Sequence, residues 1–203
     1  MEIILTMSIY ETSSIPFRYV DLLEQKQHIL LLYEDIEYAK MIEFRFIKNG
    51  LANGENCIYV TSEDSGSIVL KFLNYGIPIQ YFQNGKLKVI QMHENCGNVQ
   101  QMLDQSRKDI ERVFANLIPP YRVVGRIVPN ISTVDGMTAQ LDLENKTHSC
   151  FDDFRGSIMC TYDMSKIERT KRKTWMDELR QTHHAIIHAT KFGEGGVLCP
   201  YIS

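Results

Sequence analysis

Short apolar runs alternate with amphipathic stretches along most of this chain, which predicts strands and helices in turn. Ile29 to Leu32 reads as a buried strand and Cys57 to Thr61 as a second, with a helix between them ending at Asn49-Gly50. Ser65 to Asn74 reads as a helix closed by Tyr75-Gly76, with Pro78 just beyond. Leu87 to Met92 is a short strand entered from the turn Gln83-Asn84-Gly85. Gly97 to Ile118 carries Val99, Leu103, Ile110, Val113, Phe114 and Leu117 at helical spacing, and Pro119-Pro120 stops it. Arg122 to Val128 and Ser157 to Tyr162 follow as strands, then Lys173 to Thr182 as a helix. Ala185 to His188 is a further strand and Val197 to Ile202 an edge strand. Between Ile131 and Phe154 the pattern is weak, and a mobile or partner-contacting segment is expected there. The sum is an α/β fold of three layers, a mostly parallel central sheet with helices on both faces. Residues 1–16 read as an N-terminal extension and 17–203 as a single domain.

Composition narrows the function classes. With 203 residues, 44% of them apolar, the chain can bury one good-sized core. A net charge of -3 and a pI near 6.1 give no general attraction to nucleic acid or anionic membrane. Basic residues do gather at Lys166, Arg169, Lys171, Arg172 and Lys173, as at a solvated helix entry. No apolar stretch reaches the ~20 residues of a membrane span. The opening Met-Glu-Ile-Ile-Leu-Thr lacks the basic start of a signal peptide, so a cytoplasmic protein is expected. Cys57, Cys96, Cys150, Cys160 and Cys199 form no Cys-x-x-Cys pair. That argues against a disulfide framework or a four-cysteine zinc site, and most of these thiols are expected to be buried.

The turn after the first strand makes the sharpest chemical statement. It reads Tyr33-Glu34-Asp35-Ile36-Glu37-Tyr38-Ala39-Lys40, with acids where a phosphate-binding turn needs glycines and a lysine. Such a turn repels a triphosphate. The surrounding layout nevertheless resembles the KaiC-like branch of RecA-type ATPases. Gly50-Leu51-Ala52-Asn53-Gly54-Glu55 and Thr61-Ser62-Glu63-Asp64 match that branch's Gly-Leu-x-x-Gly-Glu and Thr-x-Glu-Glu segments. In that register Ala39 replaces the phosphate-binding lysine, Tyr33, Ile36 and Tyr38 replace glycines, and Asn130 replaces the metal-supporting aspartate.

A narrower resemblance is to the MEDS domain, the sensory domain of DcmR-type regulators. It rests on His28 with Leu32-Tyr33-Glu34, on Gly50-Leu51 with Glu55-Asn56-Cys57, and on Tyr121-Arg122-Val123-Val124-Gly125. Met159-Cys160-Thr161-Tyr162-Asp163 and Thr182-His183-His184-Ala185-Ile186-Ile187 complete it. The resemblance implies a prokaryotic signal-transduction module on a KaiC-like scaffold with a degenerate phosphate loop. It implies ligand sensing without catalysis or cofactor, beside an output domain. The chain leaves no room for that domain, so the signal is expected to pass to a separate protein partner or through self-association.

In open parallel sheets ligands bind beyond the carboxyl ends of the strands. Those ends gather Tyr33, Glu34, Tyr38, Glu63, Asp64, His93, Glu94, Asn130, Tyr162 and Asp163 as candidate ligand-binding residues. Their charge favours a cation, an amine or an aromatic molecule over a naked anion. Glu63 and Asp64 match the water-activating position of working relatives, yet Asp64-Ser65 also reads as a helix cap. His93-Glu94-Asn95-Cys96 mixes metal donors without a spaced second pair, so no metal is assigned. His183, His184 and His188 lie close in sequence, and Cys160 reads as a buried, inert thiol. Two alternatives stay open. One is a divergent ATPase with its missing cation supplied by Lys40 or Arg126; the other is a ring- or dimer-forming assembly protein.

Overall fold

The computed structural model describes residues 14–24, 26–92, 99–128 and 130–199. Residues 1–13 of the expected extension lie outside them, while Ser14 caps a first helix, α1 (Ile15–Asp21), whose Pro16, Phe17 and Val20 are buried. The order then runs β1 (His28–Tyr33), α2 (Ile36–Ala52), β2 (Asn56–Thr61), α3 (Ser65–Asn74), α4 (Gln80–Gln83) and β3 (Leu87–Gln91). Next come α5 (Val99–Phe114), β4 (Tyr121–Val124), α6 (Val134–Ser149) and a single 3-10 turn, Phe151–Asp153. The series ends with β5 (Gly156–Asp163), α7 (Arg172–Gln181), β6 (Ala185–Ala189) and β7 (Gly195–Leu198).

The strands form one seven-stranded sheet in the order β3-β2-β4-β5-β1-β6-β7. Every pairing is parallel except β6 with β7, so the expected mostly parallel sheet is present and its antiparallel edge is the last strand. The two-residue period of a strand sorts its side chains to opposite faces. Ile29, Leu31, Cys57 and Tyr59 pack under α1, α2 and α3 with Phe17, Tyr38, Ile42, Phe46 and Phe72. Leu30, Leu32, Cys160 and Tyr162 face α6 and α7 with Met137, Leu141, Trp175 and Leu179. Ile58, Val60 and Ile90 form a third cluster, against which Ile110, Val113 and Phe114 of α5 pack.

Two sequence expectations need correction. The segment read as patternless, Ile131 to Phe154, contains the 16-residue helix α6, whose buried residues are Gly136, Met137, Gln140, Leu141 and Glu144. Polar residues at 140 and 144 break the apolar period that sequence reading relies on. The strand expected to run to Val128 stops at Val124, because Gly125 turns the chain with φ of 127°. Of the four described cysteines, Cys57 and Cys160 are buried, while Cys150 at the end of α6 and Cys199 beyond β7 are exposed; Cys96 lies outside the described residues.

Candidate functional site

A small cleft opens where β1, β2, β4 and β5 end. It encloses about 150 Å³ between Tyr33, Lys40, Glu43, Tyr59, Glu63 and Arg126. Lys40 spans it. The ammonium lies 3.1 Å from Glu63 Oε1 and 3.3 Å from Glu43 Oε2, and it donates to the Tyr59 hydroxyl at 2.6 Å. Burial opposes the Lys40 charge, but Glu43 and Glu63 outweigh it and hold the ammonium above its ordinary pKa. Tyr59 in turn donates to Glu43. Burial and then Glu43 and Asp163 push the Tyr33 phenol up to about 12, so it is a neutral hydrogen-bonding group. Arg126 donates to the Thr161 carbonyl at 2.9 Å, and Lys166 adds a third cation to the wall. The cleft is therefore of mixed charge, not the acid-lined mouth expected from the sequence.

The α2 N-terminus beside this cleft is already occupied. Asp35 caps it, its carboxylate accepting from Glu37 N at 3.0 Å and Tyr38 N at 3.1 Å. Free amides at a helix start are what an anionic ligand needs, and here an internal carboxylate takes them.

Of the residues expected at a ligand site, Tyr33 and Glu63 line the cleft. The other described ones lie elsewhere. Glu34 is exposed, 3.9 Å from His188 Nε2. Tyr38 is buried under α1, edge-on to Phe17 at 5.4 Å, because its helical position points away from the strand ends. Asp64 caps α3, accepting from Ser67 N at 2.8 Å. Asn130 and Asp163 close turns, each accepting from a serine two residues on. Tyr162 faces the opposite side of the sheet, where it donates to Glu144. His93 and Glu94 lie outside the described residues, as do Asn95 and Cys96.

A larger cavity lies on that opposite face, between α5, α6 and the sheet, where no sequence motif points to it. It encloses about 450 Å³ and is walled mainly by Ile110, Phe114, Val123, Leu143, Phe154 and Ile158. Gly125 and Arg126 belong to both walls, so the two hollows adjoin at the end of β4. A Cβ at Gly125 would stand 2.3 Å from the Val60 carbonyl oxygen, so only glycine permits this close crossing.

Glu144 and Cys160 are among the polar residues of the cavity wall. Behind them His28 and His183 complete a wholly buried group. Burial alone pushes the Glu144 carboxyl up, but the His28 hydrogen bond, the two imidazoles and the Tyr162 hydroxyl outweigh it. The result is a carboxylate held below its usual range. Burial and the nearby His28 push His183 down to about 3, leaving it neutral. Burial and Glu144 push the Cys160 thiol well up. Cys160 and His183 stand out in the sequence only as separate residues, and Glu144 lies in a segment whose polar positions 140 and 144 break the helical period.

The family model for MEDS, the methanogen/methylotroph DcmR sensory domain, matches residues 27–184. The chain belongs to the MEDS family. No curated protein sequence matches it. Among solved structures, a KaiC-like protein from the hyperthermophilic archaeon Pyrococcus horikoshii OT3 superposes with a TM-score of 0.56 at 16% identity, over 86% of this chain and 78% of that one. A second Pyrococcus horikoshii OT3 protein superposes with a TM-score of 0.53 at 7% identity, over 93% of this chain and all of that one. These likenesses fix the fold of this MEDS domain as KaiC-like and RecA-type. Among its described residues no helix is long and apolar enough to cross a membrane.

Proposed function

We propose that this MEDS domain is a non-catalytic sensory module that holds a small, largely apolar molecule in the cavity between α5, α6 and the sheet. The observation that carries the reading is the division of labour between the two hollows. The strand-end cleft is bridged by Lys40 and its carboxylates, and the neighbouring helix amides are taken by Asp35. It offers about 150 Å³, too little for a nucleoside triphosphate, whereas ligand pockets are typically ~300–1,000 Å³ and mostly apolar with a few polar anchors. The second cavity has that size and that lining. Occupancy ties α5 and α6 to the sheet and so alters the surface both helices present to a protein partner or a second copy.

Titration with 1-butanol, an apolar chain with one hydroxyl, followed by methyl NMR tests this. The expected result is saturable shifts at Ile110, Leu143 and Ile158, abolished by filling the cavity with Leu143→Trp. Shifts confined to other methyls would refute the ligand site. Calorimetric binding of MgATP at micromolar affinity would refute the non-nucleotide reading.

A further inference from the structure

The four buried groups behind the cavity wall come from four separate elements. His28 opens β1, Glu144 lies on α6, Cys160 on β5, and His183 in the link from α7 to β6. Their donor atoms all lie within 4.8 Å of one another. His28 Nε2 stands 3.2 Å from Glu144 Oε2 and 3.3 Å from Cys160 Sγ. Cys160 Sγ stands 3.4 Å from Glu144 Oε2, and His183 Nε2 stands 3.6 Å from the same oxygen. A tetrahedral zinc ion with bonds of about 2.0–2.3 Å needs edges of about 3.3–3.8 Å. The four spacings just given fall at that scale, and no pair exceeds 4.8 Å.

We propose that His28, Glu144, Cys160 and His183 form a zinc(II) site that ties α6 and the end of α7 to the sheet. The orientation of every donor supports it. His28 Nδ1 is bonded to the Thr182 carbonyl at 2.9 Å and His183 Nδ1 to the Leu179 carbonyl at 2.6 Å. A carbonyl only accepts, so each Nδ1 carries a proton and each Nε2 is the nitrogen turned inward, the one a metal would take. Imidazoles that ligate a metal are held in this way by their outer nitrogen. Glu144 is divided likewise: Oε1 accepts from Gln140 at 2.7 Å and from Tyr162, which leaves Oε2 for the centre.

The same geometry is hard to satisfy without an ion. Two imidazole nitrogens, a thiol and a carboxylate oxygen converge on one point. His183 Nε2 makes no hydrogen bond although its residue is fully buried. Burying a polar nitrogen with no partner is unfavourable, because its hydration is lost and nothing replaces it. A divalent zinc gives that nitrogen a partner. It takes one lone pair from each of the four donors, the Cys160 thiol proton and any proton on His28 Nε2 leaving to solvent as it binds. With one thiolate and one carboxylate the site then has zero net charge, in an interior where net charge is costly. A thiolate with two imidazoles suits zinc over magnesium or calcium, which take oxygen donors. Four protein ligands close the coordination sphere, so the site is structural, and it stands whether or not the adjacent cavity takes a ligand.

The test uses the full chain, purified from zinc-supplemented cells and also reconstituted with cobalt(II). Metal analysis is expected to give about one zinc per chain. Cobalt is expected to show tetrahedral visible bands and a thiolate-to-cobalt charge-transfer band, both displaced by zinc. The quadruple variant Cys57→Ala/Cys96→Ser/Cys150→Ser/Cys199→Ser, which leaves Cys160 as its one thiol, is expected to keep that band, and Cys160→Ser to lose it. Folded wild-type protein that binds neither metal, or a band that disappears in the folded quadruple variant, would overturn the site. Should Cys160→Ser fail to fold, the quadruple variant and the metal stoichiometry still decide.

Discussion

Lys40 reaches across the strand-end cleft to Glu63, with 3.1 Å between Nζ and Oε1. Lys40 is the cation that a phosphate would have to recruit, and it is already engaged by Glu63, Glu43 and Tyr59. Glu43 is buried, so removing the ammonium strands its charge beside Tyr59 alone. Breaking one side of a buried pair costs about 3–5 kcal/mol. Lys40→Met is therefore expected to lower unfolding stability by about 3 kcal/mol in urea. The double variant Lys40→Met/Glu43→Gln is expected to recover most of that. An equally unstable double variant would show that the lysine acts through packing instead of charge.

The same pairing sets a pH window. Burial opposes the Glu63 charge, but Lys71 and Lys40 outweigh it and draw the folded pKa below 4.5. A depressed carboxyl contributes stability above its unfolded pKa and loses it as pH falls through the folded one. Lys40 is raised above 10.5, so its share is present below that value and lost as pH climbs past its folded pKa. Glu63 is more than a third exposed, so solvent screening limits its contribution to about 0.5–1 kcal/mol. Unfolding curves collected from pH 7 to pH 3 should show Glu63→Gln losing less stability than the parent below pH 4.5. Parallel curves would remove this carboxylate from the acid response.

Arg122 carries the corresponding load at the other end of the sheet. Its side chain is buried, grips Glu55 through bonds of 2.9 and 2.7 Å, and stacks over Phe46 at 4.7 Å. Gly50 makes room for it, since a Cβ there would lie 2.5 Å from Arg122 Cδ. Inside an exposed helix Gly→Ala would stabilise by about 1 kcal/mol. Here the reverse is expected: Gly50→Ala should destabilise by about 1–3 kcal/mol, because overpacking displaces the guanidinium from Glu55. Thermal unfolding of Gly50→Ala in an Arg122→Met background separates the two effects, since truncating the arginine should abolish the penalty.

How far the sequence could be read depended on which force shaped each element. The strands are legible because apolar runs such as Ile29 to Leu32 are buried on both faces, and burial is what hydropathy records. Helix α3 is legible to its ends because Asp64 and Gly76 mark them. The acidic turn before α2 was legible as chemistry, and Asp35 does fill that helix start. The site was less legible. Lys40 and Glu43 are three residues apart on one face of α2, but only the fold reveals that Tyr59 and Glu63 meet them. Tyr38 and Tyr162 share a strand-end neighbourhood in sequence and lie on opposite sides of the sheet in space.

Helix α6 was missed for a reason that itself has a consequence. Its inward face sets a polar stripe, Gly136, Gln140 and Glu144, beside the apolar Met137 and Leu141, so the apolar period is broken. Such a stripe persists only when each member is satisfied. Gln140 does this twice, accepting from Val128 N at 3.2 Å and donating to Glu144 at 2.7 Å. Gln140→Leu restores the apolar period and raises helix propensity, so sequence reasoning alone would forecast a gain. The structure forecasts a loss, because the buried Val128 N–H is orphaned and Glu144 keeps a single donor on Oε1. That costs about 1–3 kcal/mol. Urea unfolding of Gln140→Leu against Gln140→Glu decides it. Both should lose stability, and a stabilised leucine variant would mean that the polar stripe contributes nothing to holding α6 on the sheet.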